Sequence, residues 1–454
     1  MPKSTRAALC PVLLVPLLAG CGGPSYERVP SPAAAPKAPA PSDPVALFNG
    51  RDLSGWVNVN CAPDTWVARD GMIVCSGKPT GVLRTERMYE NFVLELEYRH
   101  LVPGGNAGLF IWSDALTARG QPFTRSIEVQ VMDGVETEHY TSHGDVFSIH
   151  GARMTPDRPH PDGWERCLPS EKRARPAPEW NHYRVICRDG ALKLEVNGQE
   201  VSGGREITPR KGYLCLESEG SEVHFRNLTL RELPPTAPPL TPELVATADE
   251  GFRSLYDGAS LAGWREEAGH EGHWRADDWR LSYDGQGESL WTTEDFGDFE
   301  LIADWRWTGP ATEQQRPVIL ASGEVERDAA GAERTVAVQD AGDSGLYLRG
   351  SSKGQVNIWC WPVGSGEVYG YRTDAALPAA VRAAVTPRVP ADAPLGQWNR
   401  FHVTLRGERL TVVLNGQTVI EDAELPGLPA RGPLALQHHG APIQFANLYL
   451  RELR

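Results

Sequence analysis

The chain has 454 residues, 23% charged and 41% hydrophobic, the composition of a globular protein rather than a disordered or fibrous one. Its formal net charge of −14 argues against a polyanionic partner such as nucleic acid, because such binding rests on clustered Lys and Arg. The 46 Gly and 37 Pro, with Trp outnumbering Phe by 14 to 11, fit a turn-rich β protein able to stack on flat ligands such as sugar rings.

Residues 1–20 combine a basic start (Lys3, Arg6) with a short apolar run from Ala7 to Leu18. A spanning helix needs about 20 apolar residues, so this reads as an export signal and not a membrane span. Leu18-Ala19-Gly20-Cys21 resembles a bacterial lipobox, which implies lipidation of Cys21 as the first mature residue. Gly22 after it implies outer-membrane sorting in a Gram-negative cell. The expected location is the cell envelope, on the periplasmic side of the outer membrane or at the cell surface. Residues 21–45 are Pro/Ala-rich and read as an extended tether. Export permits disulfides, and Cys61 with Cys75, flanking an expected hairpin, is the best pair.

Two segments follow, 46–233 and 251–454, joined by a Pro-rich linker over 234–250. They repeat each other in order. Leu47-Phe48-Asn49-Gly50 to Trp56 matches Leu255-Tyr256-Asp257-Gly258 to Trp264. Asn106-Ala107-Gly108-Leu109-Phe110 matches Asp343-Ser344-Gly345-Leu346-Tyr347. Glu179-Trp180-Asn181 matches Gln397-Trp398-Asn399, and Asn197-Gly198 matches Asn415-Gly416. Phe225-Arg226-Asn227-Leu228 matches Phe445-Ala446-Asn447-Leu448. Such an ordered series is the mark of duplication. Alternating runs such as Phe92–Tyr98 and Leu192–Val196, the latter leading into an Asn-Gly turn, predict antiparallel strands. The fold class is all-β, two tandem jelly-roll sandwiches.

The strand Ser126–Asp133 is the most informative. Period 2 puts Glu128 and Gln130 on one face, with Ile127, Val129 and Val131 on the other. A β-bulge after Val131 would return Asp133 to the Glu128 face, a spacing that looks like the carboxylate strand of sandwich-fold glucanases. Glu128 is thus expected to be catalytic, or else to pair with an arginine such as Arg125, and Arg125 and Gln130 are also expected among the substrate-binding residues. His143, Asp145 and His150 follow closely, donors suited to acid/base work or, with Asp133, to a divalent metal. A long polar loop over 152–178 is placed to cover the site. Asn106 in a glycine-rich element suits a sugar hydroxyl. Trp112 is a stacking platform or core, and Glu217 and Glu219 alternate onto one face as ligands or base. In the second copy the matching strand, from Gln355 to Trp361, has no carboxylate. That copy offers Asp343, Arg349, Asn357, Glu367 and Arg372, with His438 and His439, as a diverged site or binding module.

The opening ten residues 47–56, Asn106–Phe110, Ile127–Asp133, Glu179–Asn181, Val196–Gly198 and the run from Leu216 to Asn227 resemble the domain once catalogued as DUF1080, the 3-keto-disaccharide hydrolase domain. The resemblance covers both segments. It implies a concanavalin-like sandwich and cleavage of 3-keto-glycosides by hydrolysis or β-elimination, in some members with a divalent metal. The sequence carries no nucleotide, flavin or haem signature, so the resemblance implies a separate sugar oxidoreductase upstream. Glu128 or His143 is then the base, with Asp145, His150 or Asp133 as metal or proton partners. The other readings are a non-catalytic carbohydrate-binding lipoprotein and a conventional glycosidase on unoxidised glycans.

Overall fold

The computed structural model describes residues 42–454. The export signal, Cys21 and most of the tether lie outside the described residues. Among the described residues no helix is long and apolar enough to cross a membrane.

Alternation builds the strands. In Phe92–His100 the even-numbered residues are buried, while Glu95, Glu97 and Arg99 are only half-buried. Asn197-Gly198 and Asn415-Gly416 both have positive φ at the two turn positions (49° and 84°; 51° and 83°). That is the twist a two-residue hairpin demands, and it explains Asn followed by Gly.

The first sandwich pairs a nine-stranded with a seven-stranded antiparallel sheet. The larger centres on Asn181–Arg188, Phe92–His100 and Val223–Glu232. The smaller runs Arg166–Cys167, Val146–Ile149, Ser126–Met132, Asn106–Ser113, Tyr213–Ser218, Gly81–Thr85, Trp56–Asn58. Leu94, Leu96 and Val185 from one sheet meet Leu109, Ile127 and Val129 from the other. The second sandwich pairs an eight-stranded with a four-stranded sheet, the latter ordered Leu290–Phe296, Gly432–Leu436, Asp343–Leu348, Ser351–Trp359.

The two sandwiches share an interface. Val82, Phe110 and Cys215, on the outer face of the seven-stranded sheet, cluster with Ile302 and Tyr449 of the second sandwich. Asp304, fully buried, pairs with Arg400 at 2.6 Å and accepts the Gly120 amide at 2.7 Å. Asn447 donates to the Ala118 and Gln121 carbonyls at 3.0 Å. At the hairpin tip of the second copy, Asp278 accepts the Thr80 amide at 2.6 Å. The linker is pinned down as well: Arg84 donates to Asp249 at 2.5 Å, and Ala246 is buried.

Three local expectations are corrected. No bulge follows Val131: Val131 pairs with Ala107 and Met132 with Asn106 in unbroken register. The 152–178 stretch is not structureless, since Arg153–Pro156 and Arg166–Cys167 each join a sheet. Cys61 and Cys75 are separate buried thiols. Cys75 lies in the Trp66–Cys75 hairpin, where its Sγ accepts the Gly77 amide, while Cys61 turns toward the Pro79 carbonyl.

Candidate active site

Register decides which polar side chains meet. Phe110 lies opposite Glu128, and Gly108 opposite Gln130. Cys215 lies opposite Phe110 on the other side. Period 2 therefore puts Asn106, Gly108, Glu128, Gln130 and Glu217 on the outer face, with Ile127, Val129 and Val131 turned into the core. The extension of the same strand brings Glu219 beside Asn106, whose amide nitrogen donates to it. Gln130 in turn donates to the Asn106 carbonyl oxygen at 2.9 Å.

Gly108 is the reason the carboxylates can meet. A Cβ there would lie 2.5 Å from Glu217 Oε2 and 3.0 Å from Glu128 Oε1. The two carboxylates are thus within about 5.5 Å of each other. Both are almost fully buried, at 6% and 1% exposure. Glu217 Oε2 has no hydrogen-bond partner among the described residues. Loss of water disfavours the charged form, and neighbouring carboxylates add to it. Burial first, and the Glu219 charge second, push Glu128 up to about 8, against the pull of Arg166. Burial and the charge of Glu128 raise Glu217 well above the usual carboxylate range. Burial also raises Glu219, though its hydrogen bonds from Glu217 and Asn106 oppose the shift.

Asp145 stands beside this cluster but is spoken for. It is fully buried, pairs with Arg166 at 2.7 Å and accepts the Thr141 amide and hydroxyl at 3.0 and 2.7 Å. The Arg166 guanidinium also sits 3.6 Å over the Phe147 ring.

Other expected site residues lie elsewhere. Without the bulge, Asp133 stays off the Glu128 face and accepts the Gly104 and Ala177 amides at 3.1 and 2.9 Å. His143 is held by Glu136 at 3.0 Å and the Ala174 amide at 3.2 Å, beside a separate cavity of about 520 Å³ lined by Asp133, Glu136 and Arg175. His150 packs near Phe123, its Nε2 without a partner among the described residues. Arg125 is taken bidentately by Asp114 at 2.8 and 2.9 Å, not by Glu128. Trp112 is core, fully buried with its indole N–H on the Glu90 carbonyl. A divalent metal on Asp133, Asp145 and His150 does not fit: among the described residues no three His, Cys, Asp or Glu gather as a ligand set.

A cavity of about 560 Å³ opens beside Gly220, next to Glu219, lined by Asp64, Lys78 and Thr80 of the first copy and Gly258, Ala259 and Asp278 of the second. Asp278 adds to the upward push on Glu219. Nothing in its own stretch of sequence marks Asp278 as part of the first copy's site, since only the contact between copies brings it there.

The second copy keeps the lattice and changes its chemistry. Gly345 lies opposite Asn357, and Tyr347 opposite Gln355 and Ala435. Gln355 and Gln437 thereby occupy the places of Glu128 and Glu217, and Gln355 donates to Gln437 at 2.6 Å. His439 and Asp343, 4.0 Å apart, replace Glu219 and Asn106. Glu367, fully buried, pairs with Arg372 at 2.6 Å as Asp145 does with Arg166. Arg349 is absent from this face: it ties the Gly297 and Gly407 carbonyls and Asp298 together. His438 points its ring to the Tyr283 hydroxyl instead.

Among solved structures, one from Parabacteroides distasonis, provisionally named a glycosyl hydrolase, is 22% identical, with a TM-score of 0.33. The match covers 42% of this chain and 94% of that one. The carbohydrate binding module CBM66 from Bacillus subtilis is 14% identical with a TM-score of 0.29, over 39% of this chain and 96% of that one. No curated protein matches. The profile of the 3-keto-alpha-glucoside-1,2-lyase-like domain matches residues 43–231 and again 251–451. With nearly all of both sandwiches so matched, the chain belongs to that family, in two tandem copies.

Proposed function

We propose that the protein is a carbohydrate-active enzyme that cleaves glycosides oxidised at C3, using the carboxylate cluster of the first sandwich. The observation that carries this reading is the meeting of Glu128, Glu217 and Glu219 on one dry sheet face, with Glu128 pushed up to about 8 and Glu217 raised well above the usual carboxylate range. A ketone at C3 acidifies the hydrogen on C2. Glu219, the most exposed of the three, takes that proton as base, and the electron pair enters the C2–C3 enolate. The enolate then expels the C1 substituent: the C1–O bond breaks and C1=C2 forms. Protonated Glu128 gives its proton to the leaving oxygen. Glu217, between the two, returns the proton from Glu219 to Glu128 for the next turnover. Gln130 and Asn106 orient Glu219 through their hydrogen-bond chain.

A retaining glycosidase also uses two close carboxylates. That chemistry needs one of the pair ionised, and burial raises both. A separate oxidoreductase acting on sugars would supply the C3 ketone. Lipidation at Cys21 would hold the enzyme at the cell envelope.

The test is to incubate the protein with p-nitrophenyl 3-keto-glucosides of both anomers and with their unoxidised parents, and to identify products by mass. The reading predicts an unsaturated keto sugar, or its hydrate, from the oxidised substrates only, with a rate slowed by deuterium at C2. Cleavage of the unoxidised parents would favour the glycosidase. Binding without product would favour a non-catalytic module.

A further inference from the structure

We propose that the outer face of the second sandwich is a separate glycan-binding site, which holds a neutral sugar ring on an aromatic shelf over an amide floor. The register lays out the shelf. Trp291, Ala435, Tyr347 and Gln355 form one row across the four-stranded sheet. Gln437, Gly345 and Asn357 form the next, joined by the Gln437 amide on the Gly345 carbonyl at 2.9 Å.

In the matching row of the first copy, Arg84, Cys215, Phe110 and Glu128, the second sandwich covers Cys215 and Phe110. In the second copy Ala435 and Gln355 of the row are buried, while Trp291 and Tyr347 stay partly exposed where the first copy has Arg84 and Phe110. The Trp291 and Tyr347 rings lie 5.5 Å apart and 29° from coplanar. Such a broad, half-exposed aromatic surface has no role in the core. It suits the apolar C–H face of a pyranose.

The floor suits its hydroxyls. The Gln355 amide nitrogen is used on Gln437 and on the Ser344 carbonyl, which leaves the Gln355 carbonyl oxygen for a ligand, while the Gln437 amide also reaches the Tyr347 hydroxyl. Asn357, 3% exposed, makes no side-chain hydrogen bond among the described residues. An amide both donates and accepts, as a sugar hydroxyl does. Glu367 Oε2, on the same sheet edge, is likewise buried without a partner among the described residues. Because Gln355 and Gln437 stand where the first copy has its acids, this face binds without supplying the acid/base pair.

The probes are maltohexaose, cellohexaose and laminarihexaose, titrated calorimetrically into the whole protein. At least one is expected to bind, with Kd about tenfold weaker in Trp291→Ala and in Tyr347→Ala, as loss of one stacked ring implies. His439→Ala, at an exposed rim position, should weaken it several-fold even if a ring truncation proves unstable. Glu128→Gln should leave this binding unchanged. Binding of none of the three, or unchanged binding in all three second-copy variants, overturns the proposal. Retained turnover in Glu128→Gln would count against the first-copy mechanism alone.

Discussion

At the scale of residues, the site depends on carboxyl groups kept from water. Glu128 should act as an acid only while protonated, so activity should fall as pH rises through about 8, read as the alkaline limb of a pH–rate profile. The same shift has a consequence for stability. A glutamate in the unfolded chain ionises near 4.5, while Glu128 in the fold keeps its proton up to about 8. Between those values the native state holds more protons than the unfolded one, so stability falls as pH rises. Replacing both Glu128 and Glu217 by glutamine copies what Gln355 and Gln437 already do in the second sandwich. The double variant should melt about 2–6 °C higher than the parent at pH 8, with the gap closing toward pH 5. A gap that widens toward pH 5 would show that these groups are ionised in the fold.

At the scale of strands, alternation was legible and register was not. The pattern in Ser126–Met132 put Glu128 and Gln130 on one face from the residues alone, and the structure keeps them there. The Asn-Gly turns were equally readable, because positive φ at two successive positions selects those residues. Which strands lie side by side depends on contacts far apart in the chain. That Glu217 faces Glu128 across Gly108 was therefore out of reach, and the expected bulge at Asp133 filled the gap wrongly. Histidines in a short loop likewise suggested a ligand set, but His143 and His150 are carried apart by the turn at Gly144 and the strand Val146–Ile149. Gly108→Ala tests the strand-level argument. The new methyl would meet the two carboxylates and the buried Phe110 ring rather than backbone, so the melting temperature should fall by about 2–6 °C while turnover falls at least tenfold. Unchanged turnover would mean the two carboxylates need not meet.

At the scale of the whole molecule, duplication gave two sandwiches of one plan with different side chains on the matching sheet face. The first keeps acids on its outer sheet, and the second sandwich seals part of that sheet and lends Asp278 to the cavity at its edge. Asp304 is central to the joint, with Arg400, Gly120 and Asn447 all bonded to it. Asp304→Ala should cost about 3–5 kcal/mol, because it strips the largely covered Arg400 guanidinium of its carboxylate and leaves the Gly120 amide without its acceptor. By calorimetry the two sandwiches should then unfold in separate transitions, and a single transition at the parent temperature would contradict the interface described. The central claim is that the first copy's carboxylates carry the chemistry. Its most direct test is kcat/KM for p-nitrophenol release from a p-nitrophenyl 3-keto-glucoside, compared among the parent, Glu128→Gln and Gln355→Ala. The account predicts a loss of at least a hundredfold in Glu128→Gln and near-parental activity in Gln355→Ala. Parental activity in Glu128→Gln, or a loss confined to Gln355→Ala, would contradict it.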